Sequence, residues 1–428
     1  MTVRSHERVP LRLVRPDESE TVEVRTALER LAGGLPRDFA IRLWTGETIA
    51  PDPARRPVFT LVLRRPSSLR RMIWPPWRRT FADAFVHGAF DVEGDIVAAM
   101  ALRRRLKLRR LGLSGALALM SSGHDRDEIV TRPRPRWARE GGDSDFFSLW
   151  LDRRMVYSCG FFPSPRASLE AAQEAKLELV CRKLRLQPGE RLLDLECGWG
   201  SLVIHAAERH RAMAFGLTRS PEQLAWARAR IAERELGDRC RVELADFFDL
   251  DSQEPFDKLA SVGMFEDKGR GLYEHFARAW SLLRPGGALL THGVSATRER
   301  WWRRVIPGAG DPLREIVLEN GEPRPFHDGA REARRAGFEL RDVESLREHY
   351  SLTLRHWIAR LEGGRDQIVR SSGDEVYRSW LLFLAAAAAL FDEGTINVYQ
   401  SLYVRPDRGK SGLPLGRVDW YRMPLVGF

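Results

Sequence analysis

Residues 192–201 read LLDLECGWGS. Apolar positions around an acid, then two glycines flanking a tryptophan, describe a buried strand that ends in a tight turn and opens into a helix. Asp194 closes the strand, and Gly198 and Gly200 open the helix. Glycine lets a backbone approach a ligand closely, and a helix N-terminus favours anionic groups. Loops of this kind usually carry a small residue where this chain has Glu196, so a charged side chain enters the tightest part of the turn.

Strand and helix patterns alternate outward from this stretch. ASLEAAQEAKLELVCRKLRL (167–186) has helical spacing and leads through a turn into QPGERLLDL (187–195). Helix SLVIHAAERH, strand AMAFGLT, helix SPEQLAWARARIAERELG and strand CRVELAD follow. Strand FDKLASVG, helix LYEHFARAWSLLRPGG and strand ALLTHGVS (288–295) continue the series. Alternation at this spacing predicts an α/β fold with a doubly wound, mainly parallel sheet. Ligands of such sheets bind at the carboxyl ends of the strands, near the switch point.

The second and third strand ends discriminate between cofactors. A dinucleotide site wants G-x-G-x-x-G and an acid at the tip of the second strand, but here that strand runs into GLTRSPEQ. The third ends ADFFD, placing Asp246 beside Phe247. A carboxylate accepts from an adenine amino group and an aromatic ring stacks on the base. Phe247 alone would read as core packing. The set favours S-adenosylmethionine over a nicotinamide cofactor.

At 428 residues the chain is longer than one compact core usually serves. The boundaries expected are 1–125 for a smaller N-terminal accessory domain, 126–145 for a linker and 146–428 for the catalytic domain. The proline, glycine and charge content of SSGHDRDEIVTRPRPRWAREGGDSD (121–145) marks the linker. Before it, residues 1–55 are polar and proline-punctuated, with a helix-like stretch at ETVEVRTALERLAGG. FTLVLRRP reads as a strand, and residues 81–111 as short helices.

Hydrophobic residues make up 43%, and no run approaches the ~20 apolar residues that span a bilayer. WLLFLAAAAALF (380–391) reads as a buried helix. The opening residues contain no apolar signal core. Cys159, Cys181, Cys197 and Cys240 show no C-x-x-C spacing. No metal site and no disulfide framework are expected, and a reducing cytoplasm fits. The formal charge is +10, with arginine clusters at RRPSSLRRMIWPPWRRT and RRRLKLRRLGL. Such patches suit an anionic membrane surface or a nucleic acid, or are solvated faces. A nucleic-acid methyltransferase would want an Asn/Asp-Pro-Pro-Tyr/Phe motif after the fourth strand, and VGMFEDKG is not one.

MVYSCGFF, LEAAQEAK with LLDLECGWGS, LTRSPEQLAWA, SVGMFED and LLTHGVS together resemble the cyclopropane-fatty-acyl-phospholipid synthase family over roughly residues 143–405. FADAFVHGAFDVEGD is similar to that family's accessory segment. The resemblance implies a class I methyltransferase fold. It implies transfer of a methyl group from S-adenosylmethionine to a cis double bond of an unsaturated phospholipid acyl chain, closing a cyclopropane. An alkene is a poor nucleophile, so the site must align it with the sulfonium in a dry cleft. A base must then take a proton from the new methyl, and the resemblance implies a bound bicarbonate. Its implied holders are Cys159, Glu266, His292 and Tyr350, and the implied cofactor contacts are Tyr157, Ser158, Gly198, Thr218, Gln223, Asp246 and Phe247. Singly, Cys159 reads as a small buried hydrophobe, His292 as a core histidine and Tyr350 as packing. In this order and context they read as a site.

Three features depart from the family pattern. Glu196 stands where a glycine is usual, Asp267 where a histidine follows the MFE glutamate, and Arg139, Glu140 and Gly141 where a His-Tyr-Asp signature helps cover the cofactor. A methyl- or methylene-branched product, or an impaired homologue that binds lipid or partner proteins, are the competing readings. The partners expected are unsaturated phospholipid acyl chains and an anionic membrane surface, at the inner face of which a cytoplasmic protein would associate peripherally. A homodimer is allowed and nucleic acid is not expected.

Overall fold

The computed structural model describes residues 22, 25–26, 28–29, 37–53, 55–73, 80–105, 144–252, 254–263, 271–297 and 323–421. The chain divides into two compact units, Met1–Val130 and Thr131–Phe428.

The first unit contains β1 (Phe39–Arg42), β2 (Thr48–Ile49), β3 (Phe59–Leu63), α1 (Ser68–Ile73), α2 (Thr80–Val86), β4 (Phe90–Gly94) and α3 (Ile96–Arg105). The strands form one sheet in the order β2-β1-β3-β4. β3 alternates buried and half-buried residues, as a strand with one covered face should. Phe39 of β1 stacks on Phe59 of β3 with ring centroids 5.4 Å apart.

Two expectations are corrected here. Residues 81–111 are not all helical, because β4 lies between α2 and α3. Its Phe90 and Val92 sit opposite Leu63 and Leu61 of β3, and that pairing overrides the local helical reading. The polar region before residue 55 also supplies two strands, β1 and β2, where only a helix was expected. Trp74, Trp77, Arg78 and Arg79 lie outside the described residues.

The second unit opens with α4 (Ser144–Ser148), α5 (Leu169–Leu184), β5 (Arg191–Asp194), α6 (Ser201–His210), β6 (Met213–Thr218), α7 (Pro221–Glu233), β7 (Cys240–Leu244), β8 (Phe256–Val262) and α8 (Leu272–Leu282). It closes with β9 (Leu283–Ala296), α9 (Phe326–Arg335), β10 (Glu339–Ser345), α10 (Arg347–Gly363), α11 (Arg365–Ser372), α12 (Asp374–Asp392) and β11 (Ile396–Val404). The strands form a single sheet ordered β10-β11-β9-β8-β5-β6-β7. β5 to β9 pair in parallel, and β11 pairs antiparallel with both β9 and β10. The doubly wound, mainly parallel sheet is therefore present, closed at one edge by an antiparallel pair. β9 starts at Leu283, five residues before the expected strand at Ala288, and absorbs the RPGG segment.

Local chemistry sets the helix ends that face the site. The Ser168 side chain accepts from Ala171 N at 3.2 Å and starts α5. Ser220 does the same for α7, accepting from Gln223 N at 3.3 Å with Pro221 at the first helical position. Such caps are each worth roughly 1 kcal/mol. α12 is buried along most of its length, and no described helix is long and apolar enough to cross a membrane. β5 has β6 on one side and β8 on the other, so the order reverses at its carboxyl end. That is where the cleft opens.

Candidate active site

A cavity of about 520 Å³ lies at the carboxyl ends of β5, β6 and β8, a size that suits a nucleoside-bearing ligand. Asp194, Glu196, Cys197 and Gly198 form its floor, Thr218, Arg219, Ser220 and Gln223 one wall, and Met155 to Ser158 with Lys176 the other. Phe147, Trp199 and Trp380 add aromatic rings to the lining, and Val262 and Gly263 bring in the end of β8. Aromatic contacts hold this side: Phe147 lies 5.2 Å from Trp199, 5.5 Å from Tyr157 and 5.4 Å from Trp380, centroid to centroid. Trp199 Nε1 donates to Ser144 Oγ at 2.9 Å, tying the loop to α4. The sequence offered no named replacement for the aromatic missing near Arg139–Gly141; these rings line the cavity.

The loop tolerates Glu196 for a conformational reason. Positive φ is confined there to Gly198 (54°) and Gly200 (82°), so residue 196 has no need of glycine. A Cβ on Gly200 would lie 3.1 Å from Ala227 Cβ, so this glycine also lets α6 approach α7. The Glu196 carboxylate is 3.6 Å from Arg219 Nη2, with its side chain 25% exposed. The guanidinium offsets the charge that would otherwise face a ligand carboxylate. Thr218 Oγ1 donates to Gln223 Oε1 at 2.8 Å and accepts from Ser220 N at 3.2 Å. Those two cavity residues hold each other in place.

Behind the lining, burial controls the charges. The segment leading to Tyr157 is built on Asp152, whose carboxylate accepts from Arg154 N and Val156 N at 2.9 Å each. Met155 at its bend has φ 57°, a strained setting for a side-chain-bearing residue. Ser158 carbonyl accepts from Gln173 Nε2 at 2.9 Å, and its hydroxyl accepts from Lys176 Nζ at 3.0 Å. Lys176 is fully enclosed; burial draws its pKa down to about 8, against the pull of Asp152, Cys159 and Asp194. Burial pushes Asp194 up to about 7, with Lys176 opposing the shift. Asp194 Oδ1 is buried with no hydrogen-bond partner among the described residues. An acceptor left open inside a cavity of this size fits a ligand that brings its own donors.

The residues implied for the base also lie in the interior. The Cys159 thiol donates to Gly160 O at 3.2 Å and reaches Leu346 O at 3.7 Å. Burial pushes its pKa far up, so it stays a thiol and a donor. Tyr350 N donates to the same Leu346 carbonyl at 3.0 Å, and its ring packs 4.7 Å from Phe391. His292 is 1% exposed; burial, then Lys176 and Lys183, bring its pKa down to about 3, so it is neutral. Lys176 thus has Cys159, Asp194 and His292 all within its electrostatic reach.

Tyr157, Ser158, Asp194, Gly198, Thr218 and Gln223 line the cavity, as does Glu196. Gly200, Asp246 and Phe247 do not, nor do Cys159, His292 and Tyr350. The Asp246 carboxylate accepts from Phe248 N at 3.0 Å, and Phe247 is 6% exposed, against Phe248 and His275. Glu266, Asp267 and Arg139–Gly141 lie outside the described residues. Lys176 and Gln173 were missed as site residues. Their signal was a lysine and a glutamine inside the LEAAQEAK helix on the face that its alanines and leucines bury. A separate group, Cys181, His205 and His210, has ligand atoms within 4.8 Å of one another. Glu178 already takes both imidazole Nε2 atoms, at 3.1 and 3.0 Å.

This sheet order, with a glycine loop after its central strand and a cavity at the switch point, defines a class I S-adenosylmethionine-dependent methyltransferase. The model of the mycolic acid cyclopropane synthetase family matches residues 142–401, and the chain belongs to that family. A probable fatty acid methyltransferase of Pseudomonas putida is 34% identical over 393 residues, spanning 89% of this chain and 96% of its own. Cyclopropane mycolic acid synthase MmaA2 of Mycobacterium tuberculosis is 34% identical over 264 residues, 60% of this chain and 91% of its own. The crystal structure of mycolic acid cyclopropane synthase CmaA1 complexed with SAH and CTAB superposes with a TM-score of 0.57 at 31% identity, covering 63% of this chain and 99% of that one. The protein is an enzyme that uses S-adenosylmethionine.

Proposed function

We propose that this enzyme methylenates the cis double bond of an unsaturated phospholipid acyl chain to give a cyclopropane fatty acid. The observation that carries the reading is His292: a neutral imidazole, buried within the electrostatic reach of Lys176, whose Nε2 has no partner among the described residues. Closing a cyclopropane after methyl transfer to an alkene needs a base for the new methyl's proton, and a small oxyanion serving as that base needs donors to hold it. The backbone near Cys159, with His292 and Tyr350, is proposed to donate to a bicarbonate, and Glu266 to accept from its hydroxyl. S-adenosylmethionine supplies an electrophilic methyl; Tyr157, Ser158, Asp194, Gly198, Thr218 and Gln223 would hold it. Phe147, Trp199 and Trp380 exclude water, which strengthens every electrostatic interaction inside.

Support for a fatty acyl substrate comes from the Pseudomonas relative, whose match runs through most of the chain, whereas the mycolic acid synthase matches 60% of it. Trp74 and Trp77, flanked by Arg70, Arg71, Arg78 and Arg79, combine interfacial aromatics with positive charge and are proposed to dock the enzyme on anionic bilayers. Sedimentation with phosphatidylglycerol vesicles should show salt-sensitive binding; equal binding to neutral vesicles would contradict it.

The deciding assay incubates the purified protein with S-adenosylmethionine and vesicles of unsaturated phosphatidylglycerol, then separates the fatty acid esters by chromatography. A cyclopropane ester is expected. A methyl-branched ester would assign the branched-lipid reading, and no product despite normal cofactor binding would leave an impaired homologue. Glu266→Gln keeps shape and removes charge, so product formation should fall at least about a hundredfold, ~2.7 kcal/mol, with cofactor affinity nearly unchanged.

A further inference from the structure

Three neighbouring strands carry one polar row. Glu344 on β10 sits opposite Gln400 on β11, and Gln400 opposite His292 on β9. Residues in register project to the same face of a sheet. Lys183, from α5, meets that row with its side chain 1% exposed. Its Nζ donates to Gln400 Oε1 at 2.7 Å and to the Glu344 carboxylate. Gln400 Nε2 then stands 3.2 Å from His292 Nδ1.

The chemistry of these groups leaves one proton arrangement. A lysine ammonium only donates, so Gln400 must turn its carbonyl to Lys183 and its amide to His292. An amide N–H also only donates, so Nδ1 of His292 must accept, and the ring hydrogen of a neutral imidazole must sit on Nε2. That nitrogen is buried without a partner among the described residues. An unpaired buried donor is costly to keep, and nothing in the row relieves it.

We propose that Gln400, oriented by the Lys183–Glu344 pair, is a positioning residue that holds His292 as the Nε2–H tautomer and so presents a fixed donor to a small oxyanion. The identity of the oxyanion as bicarbonate rests on the function proposed above; the tautomer does not. Burial and the positive charges of Lys176 and Lys183 keep the ring neutral, so the donor is present without a competing imidazolium. Gln400 touches neither substrate nor cofactor in this scheme and acts only through His292.

The test is a nitrogen-15 spectrum of the histidine-labelled full chain at pH 7, with His292→Gln identifying the signals by subtraction. The wild type should show Nε2 protonated and Nδ1 bare. Gln400→Glu replaces the donor with an acceptor that Lys183 still holds, so the hydrogen should move to Nδ1. Methyl transfer should then fall at least tenfold, and half-saturation should need more bicarbonate, while cofactor affinity changes less than twofold. A wild type with Nδ1 protonated, or an unchanged tautomer in Gln400→Glu, overturns the proposal; the wild-type spectrum decides even if the variant fails to fold. A shifted tautomer with undiminished methyl transfer overturns the donor role. The spectrum needs neither lipid nor cofactor, so its failure is separate from a failure to make product.

Discussion

Asp194 and Glu196 are two carboxylates on one loop, lining one cavity, in opposite circumstances. Asp194 ends a buried strand, is 2% exposed and is raised to about 7 because burial penalises its charge. Glu196 is partly exposed and has Arg219 beside it. Moving two positions along the chain changes the governing term from desolvation to a screened ion pair. The inner carboxylate is therefore expensive and sensitive to its surroundings, whereas the outer one is cheap and replaceable.

The largest expected effect tests the inner residue. The Asp194 carboxyl binds its proton near pH 7 in the folded chain, against an ordinary value of 3.8. Folding therefore takes up a proton between those values. The contribution of Asp194 to stability is therefore full below the lower value and is lost as pH rises through the window, by at most ~4 kcal/mol. Lys176 has the opposite sign: lowered to about 8 from 10.5, it makes stability rise with pH above 8. Carboxylates held low, such as Glu178 beside His205 and His210, act in the opposite sense, so the Asp194 contribution is read as the difference in urea midpoint between the cofactor-free wild type and Asp194→Asn. That difference should shift against the wild type as pH rises from 3.8 to about 7; a difference independent of pH would mean that the carboxylate is not penalised as its burial requires.

An intermediate effect tests what holds the loop in place. A Cβ on Gly216 would meet Cys197 Sγ at 2.7 Å and Cys197 Cβ at 2.8 Å. β6 accepts the loop only because this position has no side chain. Gly216→Ala should destabilise by about 1–3 kcal/mol, read as a lower melting temperature, and should weaken cofactor binding by displacing Cys197 and Gly198. If melting and binding are both unchanged, the loop is held by charge instead of packing.

The smallest effect belongs to the outer residue. Because Arg219 offsets Glu196, Glu196→Gly should alter S-adenosylmethionine affinity by less than tenfold, under ~1.4 kcal/mol, and calorimetry can measure it. Arg219→Ala should weaken binding more than Glu196→Gly does, and most at low salt. A gain above tenfold for Glu196→Gly would show the glutamate opposing the ligand, and would erase the contrast with Asp194.

Much of this was legible beforehand, and the reasons are local. The alternation around LLDLECGWGS implies a parallel sheet because side-chain periods of 2 and 3.6 are properties of each segment alone. The turn at Gly198 and Gly200 was readable because positive φ selects glycine residue by residue. Harder were the strands of the first unit: Phe90–Gly94 reads as strand only when Leu61 and Leu63 are there to pair with it. Lys176 was hidden because a lysine in a helix is ordinarily solvated, and its letter does not say which face the neighbours will cover.

The sequence by itself determined the fold class, the cofactor loop and its place at the end of the central strand. Tertiary structure alone decided the charge states. Whether Asp194 holds a proton, whether Glu196 finds a counter-ion and which nitrogen of His292 carries hydrogen depend on burial and on partners far along the chain. Gln400 reaches His292 across 108 positions and Lys183 across 217. Those meetings are fixed by strand register and by a helix crossing the sheet, and a shift of one residue in β11 would turn Gln400 to the opposite face. Periodicity is carried by neighbours in sequence, but desolvation and proton placement are set by neighbours in space.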